Sequence, residues 1–116
     1  MKTSELMIGD LLYLNRRPVR VDAIGFNGSI SYSEKGGFGG IGVGKLSPIP
    51  ITEEILVKNG WRKESTTIDG DYANWHGEIP ICQEEDEFNY ERIELTYVHQ
   101  LQHLLRLCGI EKEIEL

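Results

Sequence analysis

Cysteine is scarce in this chain: Cys82 and Cys108 are the only two in 116 residues. Two thiols cannot build the multi-bridge framework of a small secreted domain, so the core has to be held by packing. One disulfide is arithmetically open, but each cysteine lies among apolar residues, and buried free thiols are the expectation. Long apolar runs are absent too, and none reaches the roughly 18 to 20 residues that cross a bilayer. The opening MKTSELMIG lacks the uninterrupted apolar segment of a secretion signal, and the expectation is a cytoplasmic protein that uses no membrane. Catalytic spacing is missing as well. No Ser-His-Asp or Cys-His arrangement can be picked out, no cofactor is implied, and the chain reads as a non-enzyme.

Forty per cent hydrophobic and 27% charged residues describe a folded globular chain. At this length one compact domain over 1–116 is expected, burying about two thirds of the surface that its unfolded chain exposes. It divides by pattern into a β-rich, barrel-like half, 1–50, and a mixed α/β half, 51–116. The net charge of −7 divides the same way. The first half carries six Lys/Arg against four Asp/Glu, and the second carries six against fifteen. An acidic second half repels phosphate backbones, which leaves only the first half able to host nucleic acid.

From an Ile8-Gly9-Asp10 turn the chain reads as short antiparallel strands. Leu11–Leu14 is an apolar run stopped by Asn15-Arg16-Arg17-Pro18, and Val19, Val21 and Ala23 then alternate with polar neighbours. Asn27-Gly28 tolerates the positive φ of a tight turn into Ser29–Ser33. Strands joined this way suggest an SH3-like small barrel or a curled antiparallel sheet.

The segment Gly36–Gly44, GGFGGIGVG, matches two phosphate-binding patterns on paper. Gly37, Gly39 and Gly42 fit G-x-G-x-x-G, but polar Ser31–Lys35 precedes them where an apolar strand is required. Gly39–Lys45 resembles a Walker loop, yet Leu46 stands where Ser or Thr would hold Mg²⁺, and Pro48 and Pro50 forbid the helix behind it. The remaining expectation is a flexible loop running into a strand around Ile41–Leu46, open as a contact site.

Helix signals are strongest at two places. Thr52 is an N-cap residue followed by Glu53 and Glu54, Ile51 is placed to staple on Leu56, and Asn59-Gly60 ends the helix with Trp61 folding back onto Leu56. A second helix spans Tyr97 to about Cys108. Tyr97, Val98, Leu101, Leu104, Leu105 and Cys108 form its apolar stripe, His99, Gln102, His103 and Arg106 the opposite wet side, and Gly109 its stop. Between the helices, 61–68, 72–75, 79–83 and 92–96 read as strands with Asp69-Gly70 as a hairpin turn. The tail alternates Glu111, Glu113 and Glu115 with Lys112, Ile114 and Leu116, which predicts a short terminal strand or a frayed tail. The fold class expected is α+β.

The blocks SELMIGDLLYL, PIPITEEILVKNGW and YVHQLQHLLRLCGIEKEIEL together resemble a family of small uncharacterised proteins common in gut-bacterial genomes and their mobile elements. The family pattern has leucine where Ile51 stands, and a Thr-Gly-Glu-Glu-Leu ending where this chain has Cys108-Gly109-Ile110-Glu111. The resemblance implies a mobile-element or phage context and brings no activity and no functional residues.

Four constellations remain. His99 and His103, four apart on one helix, have the spacing of helical zinc sites, but Gln100 replaces the glutamate of the zincin pattern and a third ligand would have to come from His76, Glu78 or the tail. Without metal, His99, Gln102, His103 and Arg106 form a hydrogen-bonding face suited to a partner, with histidines that respond to mild acid. Glu84–Glu87 is four carboxylates without the alternation or glycine of a calcium loop, hence solvated. Arg16, Arg17 and Arg20, with Lys2, form the one basic patch. Trp61, Tyr72 and Trp75 either line a groove or fill a core. Within the mobile-element or phage context that the resemblance implies, these support first an accessory protein that engages a protein partner through an acidic or Gly-rich surface. A nucleic-acid-binding barrel using Arg16, Arg17 and Arg20 stands second, and a metal-dependent enzyme at His99 and His103 third. Monomer and isologous dimer both stay open.

Overall fold

The structure, a computed structural model, describes residues 1–65 and 72–116. The turn expected at Asp69-Gly70, and the end of the strand leading to it, lie outside those residues. The described residues form two antiparallel five-stranded sheets with two α-helices, an α+β architecture dominated by strands. The chain divides into two compact units, Met1–Ile49 and Pro50–Leu116, at the place where the charge and the pattern change.

The first unit is a meander. Strands β1 (Leu11–Leu14), β2 (Arg17–Ile24), β3 (Ser29–Glu34) and β4 (Gly37–Gly42) follow one another, a 3-10 turn spans Val43–Lys45, and β5 (Leu46–Pro48) returns beside β1. The order across the sheet is β4-β3-β2-β1-β5, with β4 and β5 as its edges. Of the SH3-like barrel or curled antiparallel sheet expected from the sequence, an antiparallel sheet forms, and it is not closed between β4 and β5. Leu12, Leu14, Val19, Val21, Ile30 and Leu46 fall on one face because strand side chains alternate, and with Leu6 they make the core. The turn at Gly9 is tied in on both sides, Gly9 N donating to Val21 O and Val21 N to Asp10 O at 2.7 and 2.9 Å.

The Gly-rich segment is a strand, not a loop. It pairs with β3 in unbroken register from Ser29–Gly42 to Glu34–Gly37. Ladder bonds hold a glycine backbone in a strand when the neighbouring strand is present, which local propensity could not anticipate.

In the second unit α1 (Glu53–Lys58) precedes β6 (Arg62–Ser65), β7 (Tyr72–His76), β8 (Ile81–Glu84), β9 (Glu87–Tyr90) and β10 (Ile93–Leu95), and α2 (Val98–Leu107) follows. The sheet order is β10-β9-β8-β7-β6. The Thr52 hydroxyl oxygen accepts from Ile55 N at 3.2 Å, as an N-cap does. Both helices end alike. Trp61 N reaches Leu56 O and Ile110 N reaches Leu105 O, each at 2.9 Å, over a glycine of positive φ, Gly60 at 95° and Gly109 at 73°. Trp61 and Trp75 are buried, so they fill the core, and Trp61 Nε1 donates to Ile79 O at 2.9 Å. Gly77 is required there, because a Cβ on it would stand 2.5 Å from the Trp61 ring.

Residues 110–116 form no strand. Asn59 takes the place of a neighbouring strand: its Nδ2 donates to Glu115 O and its Oδ1 accepts from Glu115 N, both at 2.7 Å. Lys58 Nζ donates to Leu116 O, and Ile114 is buried. Among the described residues no helix is long and apolar enough to cross a membrane.

Candidate binding surface

The face expected on α2 is not uniformly wet. His99 is buried, stacked on Tyr97 with ring centres 6.0 Å apart and meeting His103 edge-on at 5.6 Å. Gln102 and His103 are half-buried and only Arg106 is exposed. The helical period places His99 opposite the apolar stripe, but the Tyr97 and His103 rings lie against it, and Tyr97 is itself held by the Pro50–Tyr97 bridge beside the bond from Ile51 N to Thr96 O. Gln100 is occupied in capping, its Oε1 accepting from Thr96 N and Tyr97 N at 2.8 and 3.0 Å. The distant His76 and Glu78, named as further metal ligands, have other partners. His76 lies 2.8 Å from Glu64, and Glu78 accepts from Lys112 at 2.7 Å. Among the described residues no group of three or more His, Cys, Asp or Glu is placed to hold a metal ion.

Both cysteines are exposed, contrary to the expectation of buried thiols. Cys108 lies one residue past the helix as its C-cap, where the apolar stripe no longer faces the core. The nearby Cys108, and after it Glu91, raises the Tyr90 phenol above its ordinary value. The carboxylate run Glu84–Glu87 is the exposed turn between β8 and β9, with Glu85 at φ 55°.

The three arginines of the first unit do not form one patch: Arg16 and Arg17 stand at the β1–β2 end of the sheet, Arg17 on the face of Leu14 and Val19, and Arg20 on the opposite face. Arg16 sits in the β1–β2 turn at φ 67°, after Asn15 at φ 50°, a left-handed pair built without glycine. Arg17 Nε binds Glu34 at 3.1 Å. Arg20 lies across from Ser33, and Ser33 across from Phe38, so the three share one row and one face. Arg20, Ser33 and Lys35 also line a shallow cleft of about 220 Å³ with Leu11 and Pro18. Sequence reasoning did not pair an aromatic with the arginines, because Phe38 stands eighteen residues from Arg20 and only the register joins them.

The same register defines the outer edge of β4. The two-residue turn Lys35-Gly36 closes on the Glu34–Gly37 pair, and in an antiparallel ladder hydrogen-bonded and non-bonded pairs alternate. Val43 N donating to Gly28 O at 2.8 Å continues that alternation past the strand. Gly37, Gly39 and Ile41 therefore bond inward to β3, while Phe38, Gly40 and Gly42 present N–H and C=O outward. Among the described residues no strand lies on that side. Phe38 is 89% exposed.

The β4 glycines are not alike. A Cβ on Gly39 would lie 2.7 Å from Tyr32 Oη, so the Tyr32 ring requires glycine there. A Cβ on Gly40 would meet nothing closer than 3.8 Å, and Gly37 and Gly42 have nothing within 4 Å. Packing within the chain explains the first and leaves the other three bare. A bare, uncharged edge strand is the surface on which a further strand can pair.

Comparison with protein-family models, with curated proteins and with solved structures finds no match. What the chain binds is thus read from its own surface.

Proposed function

We propose that this protein is a non-enzymatic interaction module that takes a protein partner by adding the partner's extended segment to the outer edge of β4. The observation that carries this is the edge itself: outward peptide groups at Phe38, Gly40 and Gly42, no charge from Gly36 to Gly44, and three glycines that no intrachain contact demands. The strand order, with a single 3-10 turn between β4 and β5, supports reading the first unit as an SH3-like barrel left open between those strands. The three sequence blocks support an accessory role in a mobile element or phage.

The test compares affinity capture by the tagged chain with capture by Gly40→Pro, from lysate of its own host. Proline at 40 removes an outward N–H and leaves the β3 ladder intact. A partner held by the parent chain and lost by the variant is expected. Equal capture by both overturns strand addition.

A second reading is favoured by the row Arg20, Ser33 and Phe38 beside Lys35: a single strand of nucleic acid stacking a base on Phe38 with its phosphates on the cations. Salt-sensitive binding of an oligonucleotide that disappears on replacing Arg16, Arg17 and Arg20 by alanine is its expected sign. Binding unaffected by those replacements removes it.

A further inference from the structure

We infer that the β4 edge selects acidic-flanked peptides: an uncharged β-forming centre with carboxylates beyond both ends. This rests on the strand-addition reading and supplies its specificity. Lys35 and Lys45 bracket the uncharged stretch Gly36–Gly44, and both are exposed. Lys35 lies in the turn that enters β4 and Lys45 closes the 3-10 turn that leaves it, so an added strand meets a cation near each end whichever direction it runs. Glu34, the acidic residue beside this edge's turn, already holds Arg17 at 3.1 Å, so it opposes the attraction less than a free carboxylate would. Opposite charges at the rim of such a contact set partner choice more than raw affinity.

The centre of the peptide is specified by what Gly40 lacks. A residue paired with Gly40 finds no side chain opposite it, and Phe38, two residues away on the same face, is within diagonal reach of a β-branched or aromatic group. The outward groups are N–H and C=O in alternation. A peptide offers both complements, whereas a sugar–phosphate chain offers chiefly acceptors to such an edge, which favours a polypeptide over nucleic acid on this surface.

The experiment uses the full chain labelled with ¹⁵N and follows the amides of Phe38, Gly40 and Gly42. The probes are a short peptide of alternating Thr and Val flanked by glutamates, the same peptide flanked by lysines, and an oligothymidylate. The glutamate-flanked peptide is expected to shift those amides and slow their hydrogen exchange at a Kd about tenfold below that of the lysine-flanked one. The double variant Lys35→Glu, Lys45→Glu, which alters only exposed side chains, is expected to reverse the order. Equal affinity for the two peptides, with the amides protected by both, overturns the acidic preference and leaves strand addition standing. Protection by neither peptide overturns both, and so does oligothymidylate displacing a bound peptide from those amides.

Discussion

The two sheets have the same number of strands and the same antiparallel plan, yet they treat their edges differently. In the second unit β6 carries Arg62, Lys63 and Glu64, with Lys63 bound to Glu53 and His76 set against Glu64, while β10 is three residues long with Glu94 at its centre. Charge and shortness are the usual protections against unwanted strand pairing. In the first unit β5 is also three residues long and ends in Pro48. Among the described edge strands only β4, with six residues, has neither charge nor proline nor a bulge. Three edges are closed to partners by ordinary means and one is left open, which is why that one is assigned the binding.

The interiors differ as well, and this gives the largest expected effect. The second unit is built on tryptophans: Trp61 is 1% exposed, lies against Gly77, binds Ile79 O and has Lys112 Nζ 5.5 Å above its ring. The core of the first is chiefly aliphatic. Trp61→Ala is expected to cost about 3–5 kcal/mol in the unfolding of residues 50–116, read from the denaturant dependence of the Leu101 amide signal. A cost below about 1 kcal/mol would mean that the tryptophan does not organise that unit.

Next come the paired glycines. Gly39→Val drives a side chain into the Tyr32 ring and is expected to cost about 1–3 kcal/mol. Gly40→Val adds a strand-favouring side chain in open space and is expected to stay within about 0.5 kcal/mol of the parent chain or exceed its stability, while weakening the partner. Equal losses at the two positions, in thermal or denaturant unfolding, would erase the distinction between a glycine the fold needs and one it leaves bare.

This distinction also marks how far the sequence could be read. Signals carried by neighbours in the chain were legible: Thr52 and Gly60 bound α1, Gly109 stops α2, and the Asn15-Arg16 and Asn27-Gly28 turns join their strands where expected. Features made by distant partners were not. Pairing with β3 makes β4 a strand, and the Asn59 side chain replaces a ladder for the tail. The burial of His99 comes with the Tyr97 ring stacked on it, which its helical period does not record. At the candidate surface the Gly-rich segment was visible as an anomaly of composition. Its open edge and the alignment of Arg20 with Phe38 exist only once the register does.

A smaller effect compares the two turns of opposite charge. Arg16 and Glu85 both hold left-handed backbone, at φ 67° and 55°. Left-handed conformation costs an L-residue roughly 1–2 kcal/mol, part of which glycine returns through greater freedom in the unfolded chain. Arg16→Gly and Glu85→Gly are each expected to stabilise the chain by about 0.5 kcal/mol, measured by thermal unfolding. Gain at Glu85 alone would show that the arginine makes a contact worth its strain.

The smallest expected effect is confined to the second unit and to acid pH. Hydrogen bonds from Lys63 to Glu53 and from Lys112 to Glu78 hold both carboxyls below their ordinary value of 4.5, with partial burial opposing. A carboxyl lowered on folding binds its proton more readily in the unfolded chain. Its contribution is therefore fully present above about pH 4.5 and is lost as pH falls through the lower folded value. These groups are substantially solvent-exposed, so each pair is worth about 0.2–1 kcal/mol. Denaturant midpoints between pH 6 and 3 are expected to decline less for Lys63→Met and Lys112→Met than for the parent chain. Lys112→Met also removes the cation over Trp61, so its variant starts lower at neutral pH. Parallel pH profiles for parent and variants would mean that neither lysine lowers its carboxyl, and the acid sensitivity of residues 50–116 would then lie with the acidic turn.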